Sequence, residues 1–130
     1  MRAGIDFSFL PGAGDAMVEA DPTMLEQALV NILDNALKHG GDKLTGLHLV
    51  SLYADDHVTI LITNDGLPVP QLTNTQLFER FEQASPATSH GGAGLGLAIV
   101  SEICTLHGGV VSVTSDRQGF RIDLPTLPAA

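Results

Sequence analysis

The chain has 130 residues, of which 44% are hydrophobic, and a formal net charge of −9. This length and apolar content suit one compact domain and exclude a disordered chain, while the acidic charge argues against a nucleic-acid-binding surface. No apolar run approaches the roughly 20 residues that span a bilayer. The single cysteine, Cys104, excludes a disulfide within the chain and fits a reducing cytoplasmic setting. We also expect no direct membrane contact from this domain.

The first half of the chain is predicted to contain strands around one long helix. Residues 4–10 and 16–20 are predicted strands, joined by a turn over residues 11–15. Asp21 is a good N-cap, and the apolar residues that follow recur at helical spacing, which predicts a helix over residues 21–39. Two glycines follow His39 and suit the end of a helix.

The second half is predicted to form a hairpin, a long loop, a second helix and two closing strands. The apolar centre of residues 57–63 predicts a central strand, paired in a hairpin with the strand before it. The predicted elements are strands 47–54 and 57–63, a turn at 55–56, a loop at 64–70, a helical turn at 77–83, a mobile loop at 84–91, a helix at 95–107, strands 110–114 and 119–124, and a frayed tail from 125 to 130.

This order of elements predicts an α/β fold. Hairpin-spaced strands make the sheet mixed and mostly antiparallel, and two helices with one apolar face each must cover one side of it. We therefore expect a two-layer sandwich formed by a single domain over residues 1–130, without an internal repeat or linker.

A row of amide side chains marks the polar face of the first helix. Gln27, Asn31 and Asn35 lie three or four residues apart and so stack along one side, with Lys38 after them. Asparagine lowers helix propensity, which is a reason to expect a role for its amide oxygen, for instance as a neutral ligand of a hard cation. A solvated face remains the alternative.

The stretch GGAGLGLAIV leads directly into the second helix. Glycine lets the backbone approach a phosphate closely at Gly92, Gly94 and Gly96, and the first-turn N–H groups favour an anion there. The spacing differs from the dinucleotide fingerprint and lacks the ending of a P-loop. The alternative is a flexible hinge that only caps the helix.

The loop NDGLPVP follows the central strand. A side-chain oxygen at Asn64 can accept from an exocyclic amino group, and Gly66 lets a flat ring lie against the backbone. An ordinary Asx turn explains the same residues.

Other residues are more ambiguous. Lys38 places an ammonium near any metal–phosphate group at Asn35, and His39 can stack, hydrogen-bond or act as a C-terminal capping cation. Arg80 can face phosphate or solvent. Phe78 and Phe81 are expected to pack in the core or to anchor a loop, and not to contact a ligand. The histidines share no metal-ligand spacing.

Taken in order, these motifs resemble the ATP-binding catalytic domain of bacterial sensor histidine kinases, in the gyrase–Hsp90–histidine kinase–MutL superfamily. EQALVNILDNALKHG resembles the N box, NDGLPVP the first glycine box, LFERFEQ the F box and GGAGLGLAIV the second glycine box. The resemblance covers nearly the whole chain. It implies the Bergerat-type ATP-binding fold, with ATP and Mg²⁺ as cofactors.

The resemblance also implies residue roles. Asn35 matches the Mg²⁺ ligand, Asn31 its partner one turn earlier and Lys38 a phosphate-contacting basic residue, while His39 stands where the family often has Tyr. Residues 84–91 would form part of a short ATP lid. The phosphate-side positions are matched by Gly92, Gly94, Leu95, Gly96 and Leu97.

The first glycine box departs from the family's Asp-Asn-Gly-Pro-Gly. The adenine-binding Asp position holds Asn64, whose neutral amide can still accept from the adenine amino group, and Pro68 replaces the second glycine. Asp65 could take the role of Asn64 only through a one-residue register shift. These departures favour the alternative of a degenerate nucleotide-binding or interaction module.

Asn31 bears on the reaction type. Hydrolytic members of the superfamily carry a Glu one turn before the Mg²⁺ ligand, as a base for water, and Asn31 cannot take a proton. The resemblance therefore implies transfer of the ATP γ-phosphoryl group to a histidine. No histidine here lies in the family's His-Glu-x-x-x-Pro context, so we expect the acceptor on a separate dimerisation domain of the same protein, with a response regulator downstream.

Overall fold

The computed structural model describes residues 6–12, 17–39, 41, 44–54, 56–71, 77–78 and 93–126. These residues form one five-stranded sheet and two long helices. The elements are β1 (Asp6–Gly12), α1 (Pro22–His39), β2 (Gly46–Ala54), β3 (His57–Asn64), α2 (Ala93–Leu106), β4 (Val110–Val113) and β5 (Gly119–Pro125).

The sheet is mixed, as predicted. Its strand order is β1-β2-β3-β5-β4, with β1 and β2 parallel and every other pair antiparallel. The parallel pair is connected through α1, whereas β2 and β3 form the predicted hairpin. β3 lies in the centre, between β2 and β5, which confirms the prediction from its apolar sequence.

The core lies between the two helices and one face of the sheet. Alternate residues of β3 face alternate residues of β5 across the ladder, with Ile60 opposite Ile122 and Ile62 opposite Phe120. These side chains belong to the same buried cluster as Ala28 of α1. The other buried members from the helices and from residues 77–78 include Ile32, Leu77, Phe78, Leu97, Val100, Ile103 and Cys104.

The ends of both helices follow from their sequence. The Asp21 carboxylate accepts from the N–H groups of Thr23 and Met24 at 2.9 and 3.2 Å, so it is the N-cap of α1. Gly108 has a positive φ of 72°. The N–H groups of Gly108 and Gly109 bond to the carbonyls of Thr105 and Cys104, which is the Schellman arrangement that ends a helix at glycine.

Three sequence predictions about the termini and edges are wrong in part. Residues 17–20 form no strand: the chain here leads to Asp21, whose N–H donates to Nε2 of His107 at 3.0 Å. Pro11 and Gly12 belong to β1 instead of a turn, because an edge strand tolerates the missing N–H of proline. The tail begins in an ordered conformation, since Thr126 bonds to the Asp56 carbonyl at 2.9 Å.

Several other predictions cannot be compared with the structure. The turn at residues 13–15, the mobile loop at 84–91, and Arg80 and Phe81 of the F box lie outside the described residues. Leu77 and Phe78 are helical and buried. The Phe78 ring contacts Phe120 edge-on, with centroids 6.1 Å apart, which confirms Phe78 as a core residue.

Candidate functional site

The amide row of α1 lies beside the start of α2. Asn31 and Asn35 are half-buried, whereas Gln27 of the same row is exposed. The Asn31 Nδ2 atom lies 3.5 Å from the Gly96 carbonyl oxygen and donates a long hydrogen bond to it. This bond directs the amide nitrogen towards α2. In the described part of the chain, no group bonds to the amide of Asn35, whose oxygen can therefore serve as a ligand.

The basic end of α1 continues this face. Lys38 Nζ lies 3.0 Å from the Asp34 carboxylate, one turn back on the helix, and both side chains are about half exposed. Such exposed pairs contribute about 0.3–0.5 kcal/mol, so Lys38 can exchange Asp34 for an anionic ligand at little cost. His39 is exposed at the end of the helix.

The first turn of α2 contains the second part of the glycine stretch. Gly94, Leu95 and Gly96 are helical, and Gly92 lies outside the described residues. A Cβ built on Gly96 would lie 4.0 Å from the nearest atoms of Asn31, which is ordinary van der Waals contact. Helix packing therefore does not require glycine at this position. Free N–H groups and the helix dipole at this end favour an anion.

Leu97 contributes to this region through its backbone. Its side chain is only 5% exposed and belongs to the core. Any contact between Leu97 and a ligand would therefore come from its main-chain atoms, while the side chain anchors the glycine turn to the sheet.

The loop after β3 has the geometry of an Asx turn. Asn64 Oδ1 accepts from the Gly66 N–H at 2.8 Å, and Asn64 Nδ2 donates to the Gln118 carbonyl at 3.3 Å. The two bonds orient the amide. One lone pair on Oδ1 and one hydrogen on Nδ2 remain for a ligand.

Asp65 is bound to another part of the chain. Its carboxylate accepts from the Thr45 hydroxyl at 2.5 Å and from the Thr45 and Gly46 N–H groups at 2.8 Å each. These bonds, with the Thr45 hydroxyl the largest contributor, lower the pKa of Asp65 to about 2. Because three of its acceptor positions serve the start of β2, Asp65 would lose these bonds if it turned towards a ligand.

Sequence reasoning missed Arg117 and Gln118, which lie in the turn between β4 and β5. Both side chains bond to main-chain carbonyls of the loop over residues 64–70. The polar turn itself was predicted, but only the sheet order shows that it lies beside this loop, more than 45 residues earlier in the chain. No local signal in the sequence indicates this contact.

Two contacts bring these elements together. Asn31 of α1 donates to the Gly96 carbonyl of α2, and a Cβ built on Gly41, just after α1, would lie 2.8 Å from the Leu67 side chain of the loop after β3. Within the described ranges, no three His, Cys, Asp or Glu side chains are grouped to hold a metal ion. None of the described helices is long and apolar enough to cross a membrane.

A family model described as histidine kinase-, DNA gyrase B- and HSP90-like ATPase matches residues 20–130. The chain is 38% identical over 132 residues to the sensor histidine kinase CusS of Escherichia coli K12, covering 97% of this chain and 26% of CusS. It is 39% identical over 115 residues to the sensor-type histidine kinase PrrB of Mycobacterium tuberculosis H37Rv, covering 88% of this chain and 25% of PrrB. The chain thus spans about a quarter of the length of these curated relatives.

Solved structures agree with this comparison. The mycobacterial sensor histidine kinase MprB superposes with a TM-score of 0.73 at 30% identity, over 98% of this chain and 86% of that one. The ATP-binding domain of Mycobacterium tuberculosis PrrB gives 0.70 at 30% identity, over 98% and 84%. Full-length ShkA in complex with AMPPNP gives 0.74 at 30% identity, over 98% and 27%.

Proposed function

The chain belongs to the histidine kinase-, DNA gyrase B- and HSP90-like ATPase family, and from this membership we propose a phosphoryl-donating function for it. Residues 1–130 form the ATP-binding catalytic domain of a two-component sensor histidine kinase. The domain donates the γ-phosphoryl group of ATP to a histidine on a separate dimerisation domain of the full-length protein, and a response regulator receives it afterwards.

One observation carries this proposal: the amide row of α1 lies against the glycine-rich start of α2, where Asn31 contacts Gly96. A nucleotide bound there would meet free N–H groups on one side and amide oxygens on the other. The AMPPNP complex of the structurally similar ShkA is consistent with a nucleotide in this fold. This match covers 98% of the chain.

The donor set fits Mg²⁺. This ion usually keeps several waters and binds through one or two protein oxygens plus substrate phosphates. The half-buried Asn35 amide offers such an oxygen, and it needs no carboxylate cluster. When bound, the ion supplies charge neutralisation and orientation for phosphoryl transfer.

Each of this chain's own groups then has a defined task. Lys38 leaves Asp34 to contact phosphate, the N–H groups of the first turn of α2 bind the phosphate oxygens, and the Asn64 amide accepts from the adenine amino group. Phosphoryl transfer needs little more than positioning and charge stabilisation, which these groups provide without a general base.

Asn31 separates transfer from hydrolysis. Its amide cannot accept a proton from water, and its nitrogen already donates to Gly96. We therefore expect the isolated domain to bind ATP with negligible turnover. The alternative of a degenerate module that signals by contact rests on the departures at Asn64 and Pro68, and the described residues add no observation in its favour.

The test is calorimetric binding of a non-hydrolysable ATP analogue, with and without Mg²⁺, followed by transfer of labelled phosphate from ATP to a supplied acceptor domain. Asn35→Ala should abolish the Mg²⁺-dependent part of binding and the transfer. Gln27→Ala, an exposed change in the same row, should leave both unchanged. A wild-type domain that fails to bind at millimolar nucleotide would exclude the proposal.

The setting of the domain is part of the same proposal. The relatives are about four times longer than this chain, so the sensor and acceptor would lie in other parts of the full-length protein. We place this domain on the cytoplasmic side of a membrane-bound sensor, where ATP is available.

A further inference from the structure

The turn between β4 and β5 holds the loop that follows β3. The Asn64 N–H and Nδ2 both donate to the Gln118 carbonyl, at 2.9 and 3.3 Å. In return, Gln118 Nε2 donates to the carbonyls of Asn64 and Gly66 at 2.8 and 3.1 Å. One glutamine thus bonds to both ends of the Asx turn that orients the Asn64 amide.

Arg117 holds the far part of the same loop. Its carbonyl accepts from the Val69 N–H at 2.7 Å, its Nε donates to the Val69 carbonyl at 3.1 Å, and its Nη2 donates to the Pro70 carbonyl. Arg117 has a positive φ of 61°, a conformation that is unfavourable for a non-glycine residue.

The turn itself is fixed before it meets the loop. The Asp116 carboxylate accepts from the Gln118 N–H at 3.0 Å and from the Thr114 hydroxyl at 2.7 Å. At Gly119, an added Cβ would lie 2.0 Å from the Ile62 carbonyl oxygen, so only glycine lets β5 approach β3 this closely. The side chains of the turn therefore project from a rigid base.

We propose that Arg117 and Gln118 are positioning residues for base recognition: they hold residues 64–70 so that the Asn64 amide selects a purine with a 6-amino group. The inference rests on the proposed function, because it takes the ligand to be ATP. Neither residue needs to touch the nucleotide. Without the Gln118 side chain, the carbonyls of Asn64 and Gly66 lose their partners, so the turn that carries the Asn64 amide is held less firmly.

The base-selective experiment compares ATP with inosine triphosphate, which carries an oxo group in place of the amino group and has the same sugar and phosphates. Gln118→Met keeps the side-chain length and removes both donated bonds. Arg117→Gly removes the guanidinium and relieves the positive φ. Arg121→Met is the matched control, because Arg121 is exposed and pairs with Asp123 on β5, away from the loop.

The wild-type chain should bind ATP more tightly than inosine triphosphate. Losing two donated hydrogen bonds that are only partly coupled to the base should weaken ATP binding about fivefold to tenfold in Gln118→Met. The affinity for inosine triphosphate should change less than about twofold. The ratio of the two affinities, ATP over inosine triphosphate, therefore falls towards one. Arg117→Gly should act in the same direction, and Arg121→Met should keep the wild-type preference.

The outcomes separate the two proposals. If wild type prefers ATP and both loop variants keep that preference, the positioning role is wrong and the kinase function stands. Equal loss of both nucleotides would indicate a merely structural role, and a wild type without any preference would show that Asn64 does not select the amino group; either overturns the inference. If wild type binds neither nucleotide, the proposed function itself fails.

Discussion

The change Gly96→Ala should make the domain more stable and bind ATP less well. Gly96 is the fourth residue of α2, and its φ lies outside the positive region that only glycine adopts readily. An added Cβ would meet Asn31 at 4.0 Å, without a clash. The described residues therefore leave room for alanine at this position.

The size of the stability effect follows from helix propensity. Glycine is about 0.8–1.0 kcal/mol less favourable than alanine inside a helix, and the first turn recovers somewhat less, so we expect a gain of about 0.5–0.8 kcal/mol. In a domain of this size, that gain raises the melting temperature by about 2–4 °C. The same methyl group would occupy space between α2 and Asn31, where the proposed function places the phosphates, and should weaken ATP binding about tenfold or more.

Differential scanning fluorimetry without ligand and calorimetry with the ATP analogue and Mg²⁺ measure the two effects. Thr105→Ala is a suitable control, because Thr105 is exposed on the same helix and its replacement gains a similar propensity. It should raise the melting temperature and leave ATP affinity unchanged. Wild-type ATP affinity in Gly96→Ala would refute the assignment of phosphate to this turn, and a lower melting temperature would refute the packing argument.

Three further predictions concern individual side chains. Because hydrogen bonds lower the pKa of Asp65 to about 2, its ionised form stabilises the fold above pH 4 or so, and this contribution is lost as the pH falls towards 2. In urea unfolding, the difference between wild type and Asp65→Asn should shrink steadily below about pH 4, and a constant difference would contradict the mechanism. Burial raises the pKa of the Cys104 thiol to about 11, so at pH 8 iodoacetamide should modify it at least about a hundredfold more slowly in the folded chain than in denaturant; equal rates would show that the thiol is accessible. Asn64→Asp would place a carboxylate oxygen where Nδ2 now donates to the Gln118 carbonyl at 3.3 Å, and should destabilise the fold by about 1–2 kcal/mol. Asn64→Ala, which lacks the repulsion, should destabilise less, and the reverse order in thermal melts would argue against the amide orientation.

The sequence predicts the fold well where a local pattern decides the outcome. Asp21, the apolar stripe of α1 and the glycines after α2 each specify a helix end or face without help from distant residues. The alternation in β3 and β5 likewise predicts their buried faces. Residues 17–20 show where this reasoning fails. Their apolar alternation suits a strand, but they pair with none of the five described strands, and the Asp21 N–H that follows them donates to His107.

The candidate site is predicted less completely, for the same reason. Asn31, Asn35 and Gly96 are apparent from spacing and residue type, since each lies on a helix whose face is set by its own sequence. The role of Gln118 depends on the sheet order, which brings β5 beside β3. The partners of Asp65 are also non-local, since Thr45 lies 20 residues earlier.

The charge of the chain makes the neutral character of the α1 face significant. With a net charge of −9, the domain repels a polyanion at long range, so the phosphate contacts of the proposed function must not add negative charge. Asn31 and Asn35 supply oxygens without charge. A Glu at position 31, which hydrolysis would require, would place a carboxylate near the Gly96 carbonyl, where Asn31 now donates a hydrogen bond. The Asn31 amide, which cannot activate water, thus also joins α1 to the glycine turn. The residue that takes the place of a general base therefore also packs the two helices of the candidate site together.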